Sequence, residues 1–331
     1  MVQSMNKPLR LMACMLVVVM LVIAGCGNAN TSSKAESSEN TVLNASGAKE
    51  SDKDTGMRKV KTAMGEVEVP VHPERVIVNW YVGDVFTLGI KPVAINAYAQ
   101  ETMPFYDKFE GIPILEKWES EEILSYNPDL IITYDPKDYE SFSKLAPVLV
   151  VPEENVSSTE RLRFLGEATG HESEAKQAIA AFEEKLMKAK EKLTDGIFKE
   201  KTFSILEDWG RESYGVMYET GSRGGTLLYD YIGLHMPKKL EDLVKESGNG
   251  RNSLSYEVAS EYFGDYVLWF LKDDYQSEYA KSVVWETIPA VKNGNIIQIP
   301  GKYAGLFYYS DVASMTAQLD YIVDQLVMLE K

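Results

Sequence analysis

Aromatic and arginine side chains are the groups of this chain best suited to hold a ligand, while thiols and imidazoles are nearly absent. The 331 residues include 5 Trp, 19 Tyr and 11 Phe but only 2 Cys and 3 His. His72, His171 and His235 are widely separated, with no H-x-x-x-H pairing to suggest a metal site. There is no G-x-S-x-G elbow, no H-E-x-x-H and no plausible Ser–His pairing. Abundant Asp and Glu leave a catalytic carboxylate pair, as in a surface hydrolase, as one alternative. The aromatic groups cluster in three stretches. Trp80, Tyr81, Tyr98, Trp118 and Tyr134 fall in the first half; Trp209, Arg211, Tyr214, Tyr218 and Arg223 follow; Lys302, Tyr303, Phe307, Tyr308 and Tyr309 come near the end. Such a set offers stacking surfaces and a few strong donors. It suits a ligand of low net charge. The competing reading of each aromatic, taken alone, is core or rim packing. For Arg223 it is an ion pair at a helix start, although a cation there opposes the helix dipole.

The N-terminal residues carry a different chemistry. Lys7 and Arg10 precede an apolar run from Leu11 to Ala24, and Ile23-Ala24-Gly25 lead into Cys26. The run is shorter than the ~20 apolar residues of a comfortable membrane span. A charged start, an apolar core and small residues before a cleavage point make an export signal. The segment resembles bacterial lipoprotein precursors, in which the cysteine takes a diacylglycerol and becomes the new N-terminus. Residues 1–25 are then a signal peptide and Cys26 the lipidation site. The mature chain keeps no thiol, so disulfides, zinc–thiolate sites and cysteine nucleophiles are excluded. Losing Lys7 and Arg10 takes the net charge from −16 to −18. That surface repels nucleic acid and anionic lipid headgroups. Attachment at the outer face of the cytoplasmic membrane therefore rests on lipid, and a diacyl anchor provides the two chains that stable anchoring needs.

The elements that must position the aromatic groups follow from patterning. Residues 26–56 are polar and poor in apolar side chains, which predicts a flexible tether. Lys59–Pro70 alternates around Gly65 as a hairpin. Short apolar strands then alternate with helical segments: Arg75–Trp80, Lys91–Asn96, Leu130–Asp135 and Pro147–Pro152. A helical stretch from Ser158 to Leu193 opens on a capping box at Ser157–Glu160, is broken at Gly166 and Gly170, and runs unbroken from Glu172, with Ala175, Ile179, Phe182, Leu186 and Ala189 on one face. At about 1.5 Å per residue the unbroken part would cross a whole domain. Alternation resumes at Thr202–Glu207, Ser213–Tyr218, Tyr266–Leu271 and Asn295–Pro300, and a helix over Val312–Leu329 closes the chain. The expected fold is α/β: two lobes, 57–165 and 195–331, each a mostly parallel sheet flanked by helices, joined by one long helix within 166–194. A ligand cleft lies between the lobes, where loops leave strand C-terminal ends.

Several local sequences carry a family resemblance. They are Pro73-Glu74-Arg75-Val76-Ile77-Val78, Asn127-Pro128-Asp129-Leu130-Ile131-Ile132, Leu145-Ala146-Pro147-Val148, Arg223-Gly224-Gly225-Thr226-Leu227-Leu228-Tyr229-Asp230, Gly264-Asp265-Tyr266-Val267 and Val284-Trp285-Glu286-Thr287-Ile288-Pro289. Their order over residues 57–330 is similar to that in iron–siderophore substrate-binding proteins of ABC importers, and the Arg-Gly-Gly sequence resembles the ferric hydroxamate binders in particular. The resemblance implies that Arg223 donates to hydroxamate oxygens. A tryptophan often stands two positions earlier in such binders; here the residue is Gly221.

A tris-hydroxamate chelate of iron is close to neutral and fills the metal's coordination shell, so the protein needs no cofactor and no metal ligands of its own. A tris-catecholate chelate is strongly anionic and would favour several clustered cations. The expected ligand contacts are Trp80, Tyr98, Trp209, Arg211, Tyr218, Arg223, Phe307 and Tyr308. Haem, with Met217 or Tyr218 as axial ligand, ferric citrate and cobalamin are the alternative ligands. The resemblance further implies a monomer that delivers its cargo to an ABC permease and its ATPase. Glu121 and Glu257 would meet permease arginines; the competing reading is that each carboxylate offsets the dipole of a first helical turn.

Overall fold

In the computed structural model the apolar strand cores are buried on both faces, as a helix-covered parallel sheet requires. The structure describes residues 56–151, 156–272 and 276–329. Cys26, residues 1–25 and the tether up to residue 55 lie outside them. A hairpin, β1 (Met57–Thr62) and β2 (Gly65–Pro70), comes first, turning at Gly65 with φ of 100°. The first lobe is a four-stranded all-parallel sheet, order β4-β3-β5-β6, of β3 (Val76–Asn79), β4 (Ala94–Asn96), β5 (Leu130–Thr133) and β6 (Val148–Val150). Its helices are α1 (Val82–Thr87), α2 (Ser120–Ser125) and α3 (Pro136–Phe142).

Two helices then lead out of this lobe. In α4 (Ser158–Thr169) the capping box forms as the sequence predicts. Gly166 does not break it: the residue sits inside α4, where a side chain would collide with Ala175 of the next helix. The break comes at Gly170, which adopts φ of 78°. The 22-residue α5 (Glu172–Leu193) buries Ala175, Ile179, Phe182, Ala189 and Leu193.

The second lobe holds a five-stranded sheet, order β11-β10-β7-β8-β9, of β7 (Phe203–Asp208), β8 (Val216–Glu219), β9 (Arg251–Leu254), β10 (Tyr266–Leu271) and β11 (Ile296–Ile299). This sheet is mixed: β7, β10 and β11 run parallel, while β8 and β9 are antiparallel to their neighbours. The link from β7 to β8, residues 209–215, is too short for a crossover and can only turn back. A π-helical turn (Thr226–Ile232), α6 (Lys238–Ser247), α7 (Pro289–Lys292) and α8 (Val312–Val327) complete the chain. Helix α8 returns to pack on α5, α1 and α4. One apolar core therefore runs from Val76 and Val78 of the first sheet, through Ala175 and Phe182 of α5, to Phe203, Ile205 and Met315 of the second lobe. No helix among the described residues is long and apolar enough to cross a membrane.

Candidate functional site

The C-terminal ends of β3, β4 and β5 each release an aromatic residue. Trp80 follows β3 with φ of 70°, and its amide donates to the Asn96 carbonyl at 3.1 Å. A buried polar set below it, with Asn79 Nδ2 donating to Thr133 Oγ1 at 3.3 Å and Asn96 Nδ2 to Asn79 Oδ1 at 3.2 Å, ties the strand ends together. Tyr98 and Tyr134 follow β4 and β5. Across from them the segment after β11 supplies Tyr308 and Tyr309. The rings form one cluster: Trp80 lies 6.2 Å from Tyr134, 5.8 Å from Tyr308 and 4.9 Å from Tyr309, and Tyr98 lies 5.0 Å from Tyr308. The Tyr98 amide donates to the Tyr309 hydroxyl at 3.1 Å, which joins the two lobes directly.

The second lobe places its charges on the sheet face that looks toward this cluster. Arg223 follows β8 in a turn pinned by Thr220 N–H to Gly250 O at 2.8 Å and Gly225 N–H to Ser222 O at 2.8 Å, and it takes φ of 53°. Its Nη2 lies 3.4 Å from Glu207 Oε1, and its guanidinium sits 5.9 Å from the centroid of Phe270. Arg251 stands opposite Glu219 across the β8–β9 ladder. Its Nε is 2.5 Å from Glu219 Oε1 and its Nη2 4.0 Å from Glu207 Oε2. Glu207 and Glu219 are only 5% and 1% exposed, and Ser222 Oγ donates to Glu219. Burial raises the Glu219 pKa, partly opposed by Ser222, Arg251 and Arg223. Burial also raises the Tyr308 hydroxyl, with Arg223 and Arg251 pulling it back. The tyrosine thus senses both guanidiniums.

A cavity of about 270 Å³ opens between the lobes, lined by Trp80, Asp84, Arg161, Gly221, Ser222 and Tyr308 among others. On its first-lobe side, Arg161 Nε of α4 donates to Asp84 Oδ2 of α1 at 2.8 Å and stacks 4.6 Å over Tyr81. Asp311, the N-cap of α8, lies against Gly83 so closely that no side chain fits there. Burial pushes Asp84 up to about 6, with Arg161 opposing and Asp311 adding to the rise.

The residues singled out from sequence divide. Trp80, Tyr98 and Tyr308 are brought to one cluster, and Arg223 directly follows Ser222, which lines the same cavity as Trp80 and Tyr308. Tyr218 is not in the cleft. It is 1% exposed on the opposite sheet face, packed with Leu206, Val216 and Trp269, and its hydroxyl donates to Asn249 O. Strand alternation decides this, because Met217 and Glu219 take the cleft side. Phe307 is 1% exposed and lies beneath the site, edge-on to Phe270 and against Gly224. It supports Arg223 without facing a ligand. Trp209 packs edge-on with Tyr214 at 5.9 Å, and Arg211 lies 4.9 Å over Tyr256 and 3.4 Å from Glu257. Arg211 lines a separate pocket with Glu257. Glu257 is thus already paired, and its pKa is lowered first by Ser255. Glu121 stands exposed in the first turn of α2. Sequence reasoning missed Arg251, Glu207 and Glu219. Gly248-Asn249-Gly250 ends α6 and leads into β9, but the 31 residues between Glu219 and Arg251 hide the pairing of β8 with β9 from any local signal.

Two α/β lobes sharing one core, with an aromatic cleft between them, make a bilobal binding protein. The chain matches the periplasmic binding protein family over residues 76–303 and belongs to it. Among its relatives is the iron(3+)-hydroxamate-binding protein YxeB of Bacillus subtilis, 28% identical over 326 residues and 96% of each chain. Another is the iron(3+)-hydroxamate-binding protein FhuD of the same organism, 29% identical over 318 residues, covering 94% of this chain and 95% of that one. A solved FhuD-fold structure from Bacillus subtilis, a periplasmic binding protein component of a Fep/Fec-like ferrichrome ABC transporter, aligns with a TM-score of 0.66 at 28% identity, over 80% of this chain and 98% of that one.

Proposed function

We infer that this protein captures a ferric hydroxamate chelate between its lobes, outside the cytoplasm, and hands it to an ABC permease. The observation that carries the reading is the cleft itself. It sets the Trp80–Tyr98–Tyr308 aromatic cluster opposite Gly221 and Ser222, and next to that wall Arg223 and Arg251 are matched in charge by Glu207 and Glu219. An aromatic cup with donors but no excess charge suits a bulky, coordinatively saturated, near-neutral chelate. Two curated relatives named as iron(3+)-hydroxamate-binding proteins support the same class. Iron is cargo here, held by the chelator and not by the protein, and no catalytic step is required. Cys26 would carry the lipid that keeps the protein at the membrane. Glu121 is a candidate permease contact on the first lobe; Glu257 would have to leave Arg211 to serve on the second.

Tryptophan fluorescence tests this. Ferrioxamine- and ferrichrome-type chelates should quench at micromolar concentration or below, and Arg223→Ala should weaken binding by roughly tenfold or more, the worth of a charge-assisted hydrogen bond. Absence of quenching by every ferric hydroxamate, or a Soret band on adding haem, would overturn the reading.

A further inference from the structure

We propose that Glu207 and Glu219 set the charge selectivity of the cleft, cancelling Arg223 and Arg251 so that an anionic ferric chelate is refused. This rests on the reading above that the cleft takes a ferric chelate.

Arg223 adjoins Ser222 on the cavity wall, and Arg251 reaches the same wall through Glu219, which accepts from Ser222; two arginines so placed would ordinarily recruit an anion. Here each is tied to a buried carboxylate: Arg223 to Glu207 at 3.4 Å, and Arg251 to Glu219 at 2.5 Å and to Glu207 at 4.0 Å. Both carboxylates are nearly inaccessible, whereas Arg251 is half exposed and Arg223 is exposed at its edge. The ligand therefore meets guanidinium donors but feels a local charge near zero. The pairing is also incomplete. Glu207 Oε2, Glu219 Oε1 and Arg223 Nε are buried and complete no well-aligned hydrogen bond among the described residues, so these pairs are held by charge and proximity. The other charged set on the cavity wall, Asp84 and Asp311 with Arg161, adds no positive excess. Removing one carboxylate would leave the cleft with a net positive charge at low dielectric. A multiply charged anion would then gain a large attraction, and a neutral chelate little.

The test compares binding constants by fluorescence for a neutral cyclic ferric tris-hydroxamate (ferrioxamine E), one with a pendant ammonium (ferrioxamine B) and a ferric tris-catecholate (the iron–enterobactin complex). Binding of the neutral chelate by the wild type tests the function proposed above. The present proposal is read from ratios. In Glu207→Gln and Glu219→Gln, the affinity for the tris-catecholate relative to the neutral chelate should rise on the order of tenfold or more. Arg251→Gln, at a half-exposed position and read at a temperature where its melting curve shows it folded, should shift preference the other way, favouring the ammonium-bearing chelate over the neutral one by several-fold. If the Gln variants melt like the wild type and the ratio does not move, or if both affinities fall together, the carboxylates merely hold the arginines and the proposal is wrong. Should the Gln variants fail to fold, an unchanged ratio in Arg251→Gln overturns it alone.

Discussion

Trp80 and Arg223 hold φ of 70° and 53°, a region that costs a non-glycine residue on the order of 1 kcal/mol or more. Two of the four such residues among those described thus flank the cleft; the others, Asn127 and Glu200, sit in turns elsewhere. Asp84 shows the same trade at one carboxyl. Its folded pKa, about 6, exceeds the ordinary 3.8 because burial disfavours the anion. Between those values the native state holds the proton more tightly than the unfolded chain, so this group's contribution to stability is full below about pH 4 and is lost as pH rises through 6. From pH 5 to pH 7 the loss is about 1 kcal/mol, or roughly 2–4 °C in a chain of this size. Asp84→Asn should remove that part of the pH dependence, whatever it does to absolute stability. Melting curves at the two pH values decide, and a variant with the wild-type difference would show that Asp84 is not the group responsible. At this scale the sequence is uneven as a guide. Arg223 stands out because the Arg223-Gly224-Gly225 sequence resembles that of ferric hydroxamate binders. Tyr218 misleads, because one step of strand register separates a cleft residue from a core residue. Arg251 is silent, since a half-exposed arginine in a polar stretch looks like ordinary surface.

Helix α5 could be read at both ends because its apolar positions recur every three to four residues for six turns, a pattern no strand can satisfy. Strand β9 could not. Arg251-Asn252-Ser253 is exposed at a sheet edge, and edge strands carry little apolar signal. Gly166 was misplaced for a related reason: a glycine at a close helix contact looks in sequence like a glycine that ends a helix. Glycine has a third use in the turn that aims Arg223. A side chain on Gly225 would run into the Thr220 carbonyl, whereas one on Gly221 would meet nothing within 4 Å. Gly225→Ala should therefore open the Thr220–Gly225 turn, lower stability by about 1–3 kcal/mol and weaken chelate binding by displacing Arg223. Gly221→Ala should melt like the wild type. Differential scanning calorimetry of the two variants separates a specific backbone contact from a general intolerance of the loop; equal melting temperatures would discard the contact.

Across the whole molecule, the connection between lobes is broader than the single helix that sequence periodicity suggests. Helix α5 spans the body, but α8 also returns from the second lobe to pack on α1, and Asp311 at its start presses against Gly83. The Tyr98–Tyr309 hydrogen bond adds a crossing within the cleft. Periodicity shows which faces are apolar but not which distant helix covers them, so this second link emerges only from the tertiary structure. A wide hinge would have to part the continuous core that includes Val82, Phe182, Ile205 and Met315. At about 25 cal/mol per Å² of apolar surface, exposing a few such side chains costs several kcal/mol, comparable to the binding energy a micromolar ligand supplies. Loading should therefore adjust the cleft loops and leave the lobes nearly fixed. Spin labels on exposed Glu140 of α3 and Lys245 of α6 report this directly. The distance between them should change by less than about 2 Å when a ferric hydroxamate is added, the scale of a preorganised complex. A shift of many ångströms would mean that the shared core parts on binding.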